Sequence, residues 1–276
     1  MPKFSITSPI WLDKTAKENE RQPRYEMFLR AANSIFGQTF TDYEWIIADD
    51  LSKPPIEEIL EKHDSWWKPK GLQVKTVLMP VKSGRIAARN TAMKASTGEW
   101  ILWFDGDDEL SSVALEGLDA AIRTYPEYKV FNWNHLVYHY DYSTEVRKFM
   151  DMGVQKKEPF GSGHVGSGSF AFNRSVYEDI GPMPEKGLWD FAKVFFDEFP
   201  ETKPFFWNEQ NKGYNSLGNP WGEDYYYWYK MTRKYDAKYL NAAFYHVHSR
   251  FGHKWPEEQK FNDKQGATPI WNPNNR

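Results

Sequence analysis

The 276-residue chain contains no cysteine, which excludes disulfides, thiolate-bound zinc and cysteine nucleophiles together. It has no run of about 18 apolar residues, so no segment reads as a membrane span. Its opening residues, Met1-Pro2-Lys3-Phe4, begin no apolar stretch of the kind a signal peptide needs. These absences give the expectation of a cytoplasmic protein without integral membrane association. An excess of one charge is lacking too: 35 Lys and Arg face 38 Asp and Glu, a formal net of −3. That balance argues against a protein that coats nucleic acid with its whole surface. Internal repeats and low-complexity tracts are also absent. What abounds is aromatic, at 17% of residues with 13 Trp, and most of those rings must lie in a core.

Short apolar runs alternate with helix-like segments through the first half. Strands are expected at Phe4 to Pro9, Tyr43 to Ala48, Leu72 to Leu78 and Trp100 to Phe104. Between them, Arg24 to Phe36 and Ile86 to Ala95 carry helical spacing, and Pro54-Pro55 marks a helix start. Strand–helix alternation predicts an α/β fold, a mostly parallel central sheet flanked by helices. In such sheets ligands bind beyond the carboxyl ends of the strands. Two acidic clusters fall there, Asp49-Asp50 and Asp105-Gly106-Asp107-Asp108. The second half reads as a helix at Ser112 to Tyr125, a strand at Lys129 to Trp133 and a hairpin from His135 to Met150. A glycine-rich loop ending at Ser169, helices at Arg174 to Ile180, Phe191 to Phe199 and Tyr225 to Lys234, and a strand at Tyr239 to His248 complete it. No linker stands out, so residues 1–255 are taken as one domain with halves at 1–110 and 111–255, followed by a polar tail at 256–276.

Three carboxylates at one point repel one another unless a cation sits among them. Mg²⁺ and Mn²⁺ take oxygen ligands and typically pair one or two carboxylates with substrate phosphates. Asp-Gly is also a turn signal, and the run by itself is compatible with a solvated turn. An EF-hand is excluded by ligand spacing.

The context is more specific. In order, the chain carries Ser5-Ile6-Thr7, Ser34-Ile35-Phe36-Gly37-Gln38-Thr39-Phe40, Tyr43-Glu44-Trp45-Ile46-Ile47-Ala48-Asp49-Asp50-Leu51-Ser52, Ala87-Ala88-Arg89-Asn90 and Gly98-Glu99-Trp100-Ile101-Leu102-Trp103-Phe104-Asp105. This succession resembles the nucleotide-sugar-binding half of the family 2 inverting glycosyltransferases, which have the GT-A fold. The resemblance is strong over residues 4–110 and weaker at Ser167 to Gly181 and Gly222 to His248.

The resemblance implies roles for residues that match the family's motifs. Asp50, with Asp49 beside it, matches the pair that reads the base and ribose of the donor. Arg89-Asn90 matches a segment lining the nucleotide pocket, and Arg85 is a further candidate there. Pro9 and Trp11 stand in the first loop, where Trp11 can stack on the base. Asp105, Gly106 and Asp107 match the D-x-D motif that holds Mn²⁺ or Mg²⁺ with the donor diphosphate, and Asp108 is an alternative ligand. Gly222-Glu223-Asp224 matches the Glu-Asp motif at a helix start, with Asp224 as the catalytic base; the same residue is equally suited to capping that helix. His248 matches a histidine that completes the metal site in many relatives, ahead of His246 and His253. Gly168, Trp221 and Glu223 are candidates on the acceptor side.

There are departures. The usual Pro-Thr/Val-Tyr-Asn of the first loop is Pro9-Ile10-Trp11-Leu12, and the acidic loop replaces its usual glycine with Leu51. The Gln-x-x-Arg-Trp signature of processive synthases is missing, so transfer of a single sugar is expected. The implied donor is a nucleotide-diphosphate sugar, with a UDP-sugar as the first choice. The implied acceptor is a hydroxyl of a glycan, a lipid-linked sugar or a modified DNA base. From Tyr225 onward nine Lys and Arg face four acids, an excess able to hold an anionic acceptor. Two other classes remain open. A sugar nucleotidyltransferase on a similar scaffold would want a glycine-rich, basic loop after the first strand, and Pro9 to Thr15 has no glycine. A non-catalytic sugar- or nucleic-acid-binding module would have no need of Asp107 and Asp224.

Overall fold

A computed structural model describes residues 1–13, 24–141, 146–153, 168–185, 191–203, 207–208, 210, 213–214 and 223–249. Trp221, His253, the glycine loop before Gly168 and the polar tail lie outside the described residues. The first half follows the expected alternation: β1 (Phe4–Ile10), α1 (Arg24–Phe36), β2 (Tyr43–Asp49), α2 (Ile56–Lys62), β3 (Gln73–Leu78), α3 (Arg85–Ala95) and β4 (Trp100–Trp103). The acidic run leads into a two-residue strand, β5 (Glu109–Leu110), and then α4 (Ala114–Thr124). The second half has β6 (Val130–Asp141), β7 (Val146–Gly153), β8 (Phe170–Asn173), α5 (Arg174–Ile180) and α6 (Phe191–Glu198). A short ribbon of β9 (Trp207–Asn208) and β10 (Gly213–Tyr214) precedes α7 (Glu223–Thr232) and β11 (Ala237–Ser249).

Among the described residues nine strands form one sheet in the order β3-β2-β1-β4-β8-β6-β11-β5, with β7 also beside β6. From β3 to β4 every pairing is parallel. Beyond β4 the sheet is mixed: β8 runs antiparallel to both β4 and β6, while β6 and β11 are parallel. Two reversals at β8 bring β6 and β11 back into the direction of β4. The carboxyl ends of β1, β2, β3, β4 and β11 therefore share one edge, and both acidic clusters lie on it. The acid run then crosses that edge, because β5 pairs antiparallel with β11 through Leu110–Tyr245 and Glu109–His246.

Alternation along β4 divides the core. Trp100, Leu102 and Phe104 join one cluster with Phe28, Trp45 and Phe131, whereas Ile101 and Trp103 join another with Phe170, Phe172, Tyr227 and Trp228. Rings meet edge-on in Trp45–Phe104, tilted in Trp103–Phe170 and stacked in Phe28–Trp45, and such pairs contribute about 0.5–1.5 kcal/mol each beyond area burial. The small face of α3, Ala88 and Ala92, lies against Ile46 and Ala48 of β2. Alanines there let the helix approach closely, which brings the arginines of α3 to the end of β4. At the far edge of the sheet the Glu44 carboxylate accepts hydrogen bonds from Ser5, from Thr97 and from the Gly98 N–H, tying the loop before β4 to β1.

Candidate active site

The acid run is split by its neighbours into inward and outward members. Asp108 is buried, and its Oδ1 accepts the His248 N–H at 2.9 Å. Burial, followed by the charges of Asp107 and Asp105, pushes its carboxyl well above the ordinary range, against the pull of the His248 N–H and the Tyr245 hydroxyl. Asp108 thus points inward, and the carboxylates of Asp107 and Asp105 that repel it face the same turn. Asp105 and Asp107 stay half-buried at the turn. Asp105 donates its N–H to the Tyr245 hydroxyl at 3.1 Å, and the Asp107 carbonyl accepts Arg30 Nη2 at 3.0 Å. Gly106 sits between them in close quarters: a Cβ there would lie 2.0 Å from Ile10 Cδ1, whose side chain would have to move aside.

Two arginines of α3 join this turn to the start of α7. Arg89 is fully buried, its guanidinium 4.5 Å from the Trp103 ring centroid and its Nη2 2.8 Å from Asp105 Oδ1. It also stands 3.6 Å from Glu223 Oε1. Arg85, one turn earlier, holds Glu223 through Nε–Oε1 at 2.5 Å and Nη2–Oε2 at 2.8 Å. Burial pushes the Glu223 carboxyl up, Arg85 and Arg89 pull it down, and Asp224 adds to the rise; the net direction is upward. Burial works against the charge of Arg85, but Glu223, Asp105 and Asp224 outweigh it and raise its pKa. Asp105, Glu223, Asp224 and the two arginines thus form one electrostatic unit, although up to 139 residues separate Arg85 from Asp224 in the chain. On α7, Glu223, Tyr226, Tyr227, Trp228, Tyr229 and Met231 are all buried while Asp224 is half-buried, so burial does not single out the face expected from the spacing of Asp224, Tyr227, Trp228 and Met231.

The remaining candidates are placed as follows. Asp49 accepts the N–H groups of Ser52 and Ile56 at 2.8 and 2.9 Å, closing the loop into α2. Asp50 accepts those of Ser83 and Gly84 at 2.7 and 2.9 Å. Both carboxylates therefore serve backbone first, each oxygen keeping a second lone pair. Leu51 adopts φ 63, so the left-handed turn persists where the family's glycine is lost. Asn90 is engaged with the Met183 backbone, donating to its carbonyl at 2.8 Å and accepting its N–H at 3.0 Å. Trp11 stands just past β1 and Pro9 pairs with Ala48 within it; Lys82 Nζ lies 3.3 Å from the Trp11 ring centroid. Gly168 is pressed on Tyr245, and its carbonyl accepts Trp133 Nε1–H at 3.1 Å, which is a packing role.

His248 lies against the ring of Tyr138 (centroids 5.1 Å apart) with Nε2 2.5 Å from Glu109 Oε2, and Arg30 Nε is 3.5 Å from the same oxygen. Burial raises the Glu109 carboxyl, but His248 and Arg30 prevail and hold it below its usual range. Among the described residues no three His, Asp or Glu side chains gather to hold a metal ion. A half-exposed carboxylate completed by substrate phosphates and waters is nevertheless a normal Mg²⁺ or Mn²⁺ donor set. Asp107 fits that part, while His248 Nε2 is here paired with Glu109. The sequence missed Glu109, Arg30 and Tyr245, and no spacing signal marks them.

The chain is thus an α/β protein whose mainly parallel half-sheet carries acids and arginines at its carboxyl edge, the side on which such sheets bind ligands. Residues 19–181, more than half of the chain, match the family described as Glycosyl transferase family 2, and the protein belongs to that family. It is 30% identical over 183 residues to the poly(ribitol-phosphate) β-N-acetylglucosaminyltransferase TarP of Staphylococcus aureus, covering 64% of this chain and 50% of that protein. Its fold is similar to that of S. aureus TarS in complex with UDP-GlcNAc (TM-score 0.57, 18% identity, 92% of this chain and 61% of that one). It is also similar to the mannosyltransferase PcManGT of Pyrobaculum calidifontis in complex with GDP-Man and Mn²⁺ (TM-score 0.56, 14% identity, 96% and 61%). The chain spans between a third and a half of the length of the curated relatives it matches. No helix among the described residues is long and apolar enough to cross a membrane.

Proposed function

We infer that the protein transfers one sugar, with inversion, from a UDP-sugar to an acceptor hydroxyl. The observation that carries this is that Arg89, 2.8 Å from Asp105 at the end of β4 and 3.6 Å from Glu223, and Arg85, bound to Glu223, join the acid turn to the start of α7, where Asp224 follows. A donor lying along the sheet edge has its diphosphate beside the acid turn and its sugar toward α7. The acceptor hydroxyl attacks the anomeric carbon from the face opposite the diphosphate. The new C–O bond forms as the old one breaks, the electron pair leaves with the diphosphate, and the proton passes to Asp224. Asp107 would hold the Mg²⁺ or Mn²⁺, which supplies charge neutralisation for the leaving diphosphate. Trp11 and Asp50 bound the base slot, with the Ser83–Gly84 amides fixed by Asp50.

UDP is supported by the TarS complex and by the imide of uracil, whose N–H suits a carboxylate acceptor such as Asp50. The acceptor is read as a hydroxyl-rich, phosphate-bearing glycan, in line with the similarity to TarP and the basic excess after Tyr225. Thermal stabilisation by a panel of UDP-, GDP- and TDP-sugars, with and without Mn²⁺, tests the donor. A cognate sugar nucleotide at a hundredfold excess over its Kd adds about 2.7 kcal/mol of stability. A panel in which no sugar nucleotide raises the melting temperature refutes the assignment.

A further inference from the structure

One buried carboxylate, Glu223, is shared by two arginines of very different exposure. Arg89 is fully buried and its close bond is to Asp105, with Glu223 at 3.6 Å; its Nε and Nη1 have no hydrogen-bond partner. Arg85 grips Glu223 at both oxygens, yet 52% of its side chain is open to solvent while Glu223 is 2% exposed. A guanidinium fork that fits a carboxylate side-on fits a phosphate equally well. Resting on the donor assignment above, we propose that Arg85 is an exchangeable clamp: Glu223 holds it in the unliganded protein, and it leaves that carboxylate for the diphosphate of the donor.

Arg89 makes the exchange feasible. A buried carboxylate stripped of its only cation is strongly unfavourable. Here a second guanidinium with unused donors already stands beside Glu223, so the carboxylate remains neutralised when Arg85 departs. Arg85 also lies within the field of Asp105 and Asp224, which places its cationic head between the acid turn and the base helix. The consequence is a competition: every donor molecule displaces Glu223 from Arg85, and the carboxylate lowers apparent donor affinity while it primes the clamp.

The competition predicts an effect of unusual sign, readable by calorimetric titration of UDP and of uridine in Mn²⁺ buffer. Glu223→Gln, which relaxes the hold on Arg85, binds UDP roughly fivefold more tightly than the wild type, with uridine binding unchanged. Arg85→Ala binds UDP roughly tenfold more weakly, again with uridine unchanged. In the Arg85→Ala, Glu223→Gln double variant the gain disappears and UDP affinity equals that of Arg85→Ala alone. Melting curves establish that each variant is folded, and Glu223→Asp, which shortens the reach to Arg85, carries the same expectation if the glutamine does not fold. Unchanged or weaker UDP binding by folded Glu223→Gln, or a gain that survives in the Arg85→Ala background, overturns the clamp. A wild-type chain that binds no nucleoside diphosphate overturns the donor assignment itself, and the clamp with it.

Discussion

Gly168 offers a sharp test of how tightly the site is packed. Its φ of +48 lies in the left-handed region, and a Cβ there would stand 1.9 Å from the Tyr245 ring. Gly71 shares the left-handed backbone at φ +67 but has nothing within 4 Å of its would-be Cβ. Alanine at either position carries backbone strain of about 1–2 kcal/mol. Only at Gly168 does it also overpack the core, adding about 1–3 kcal/mol. For a chain of this size each kcal/mol moves the melting temperature by about 2–4 °C. Gly168→Ala should therefore fall by about 4–20 °C and Gly71→Ala by about 2–8 °C, the first always the larger, in thermal melts followed by circular dichroism. Because the Tyr245 hydroxyl receives the Asp105 N–H, the displaced ring also disturbs the acid turn, and UDP affinity should drop severalfold in Gly168→Ala alone. Equal melting shifts in the two variants would show that Tyr245 yields freely, and would refute the view that the ring is a rigid support of the site.

Asp224→Asn should reduce transfer by about 10²–10⁴-fold, the usual contribution of a general base, while UDP affinity stays within twofold; parallel losses in both would assign the residue to the helix start instead. Asp107→Ala should abolish the increase in UDP affinity that Mn²⁺ gives the wild type, and an increase that survives the substitution would move the ion elsewhere. Burial holds the hydroxyls of Tyr227 and Tyr245 well above their ordinary pKa, so the folded chain keeps protons there that the unfolded chain releases. Their contribution is fully present below about pH 10 and is lost as pH rises above it, by about 1.4 kcal/mol per pH unit for each. Absorbance at alkaline pH should then show these rings ionising only as the protein unfolds; titration of all tyrosines before unfolding would contradict their burial.

What the sequence disclosed follows from the range of the interactions involved. The first four strands were legible as short apolar runs, three of them buried on both faces, α1 and α3 were legible from helical spacing, and Trp100 to Phe104 running into Asp105 marked the carboxyl edge of the sheet. The start of α7 was legible through Glu223-Asp224, although the helix was expected only from Tyr225. Short elements were missed: β8 offers four residues and β5 two, too few for any period to register. The expected strand at Lys129 to Trp133 and the hairpin after it share one continuous twelve-residue β6, since pairing with β11 on one side carries it through. Side-chain partnerships across the sheet left no local trace. Nothing near Asn90 indicates Met183, nothing near His248 indicates Glu109, and nothing near Arg85 indicates Glu223. Each is decided by which strands become neighbours, and that depends on the reversal at β8.

The zero clearance between Gly106 and Ile10 has a mechanical consequence. Ile10 ends the strand that leads to Trp11, and Gly106 lies in the turn that leads to Asp107, so the base and phosphate subsites proposed above adjoin through the Ile10 side chain. In a close-packed interior such a contact transmits displacement instead of absorbing it. On that proposal, a shift of the turn toward a phosphate is felt at the strand end that carries Trp11. On the donor assignment above, the base and phosphate subsites are mechanically linked, and a ligand with the wrong spacing between the two groups strains both ends.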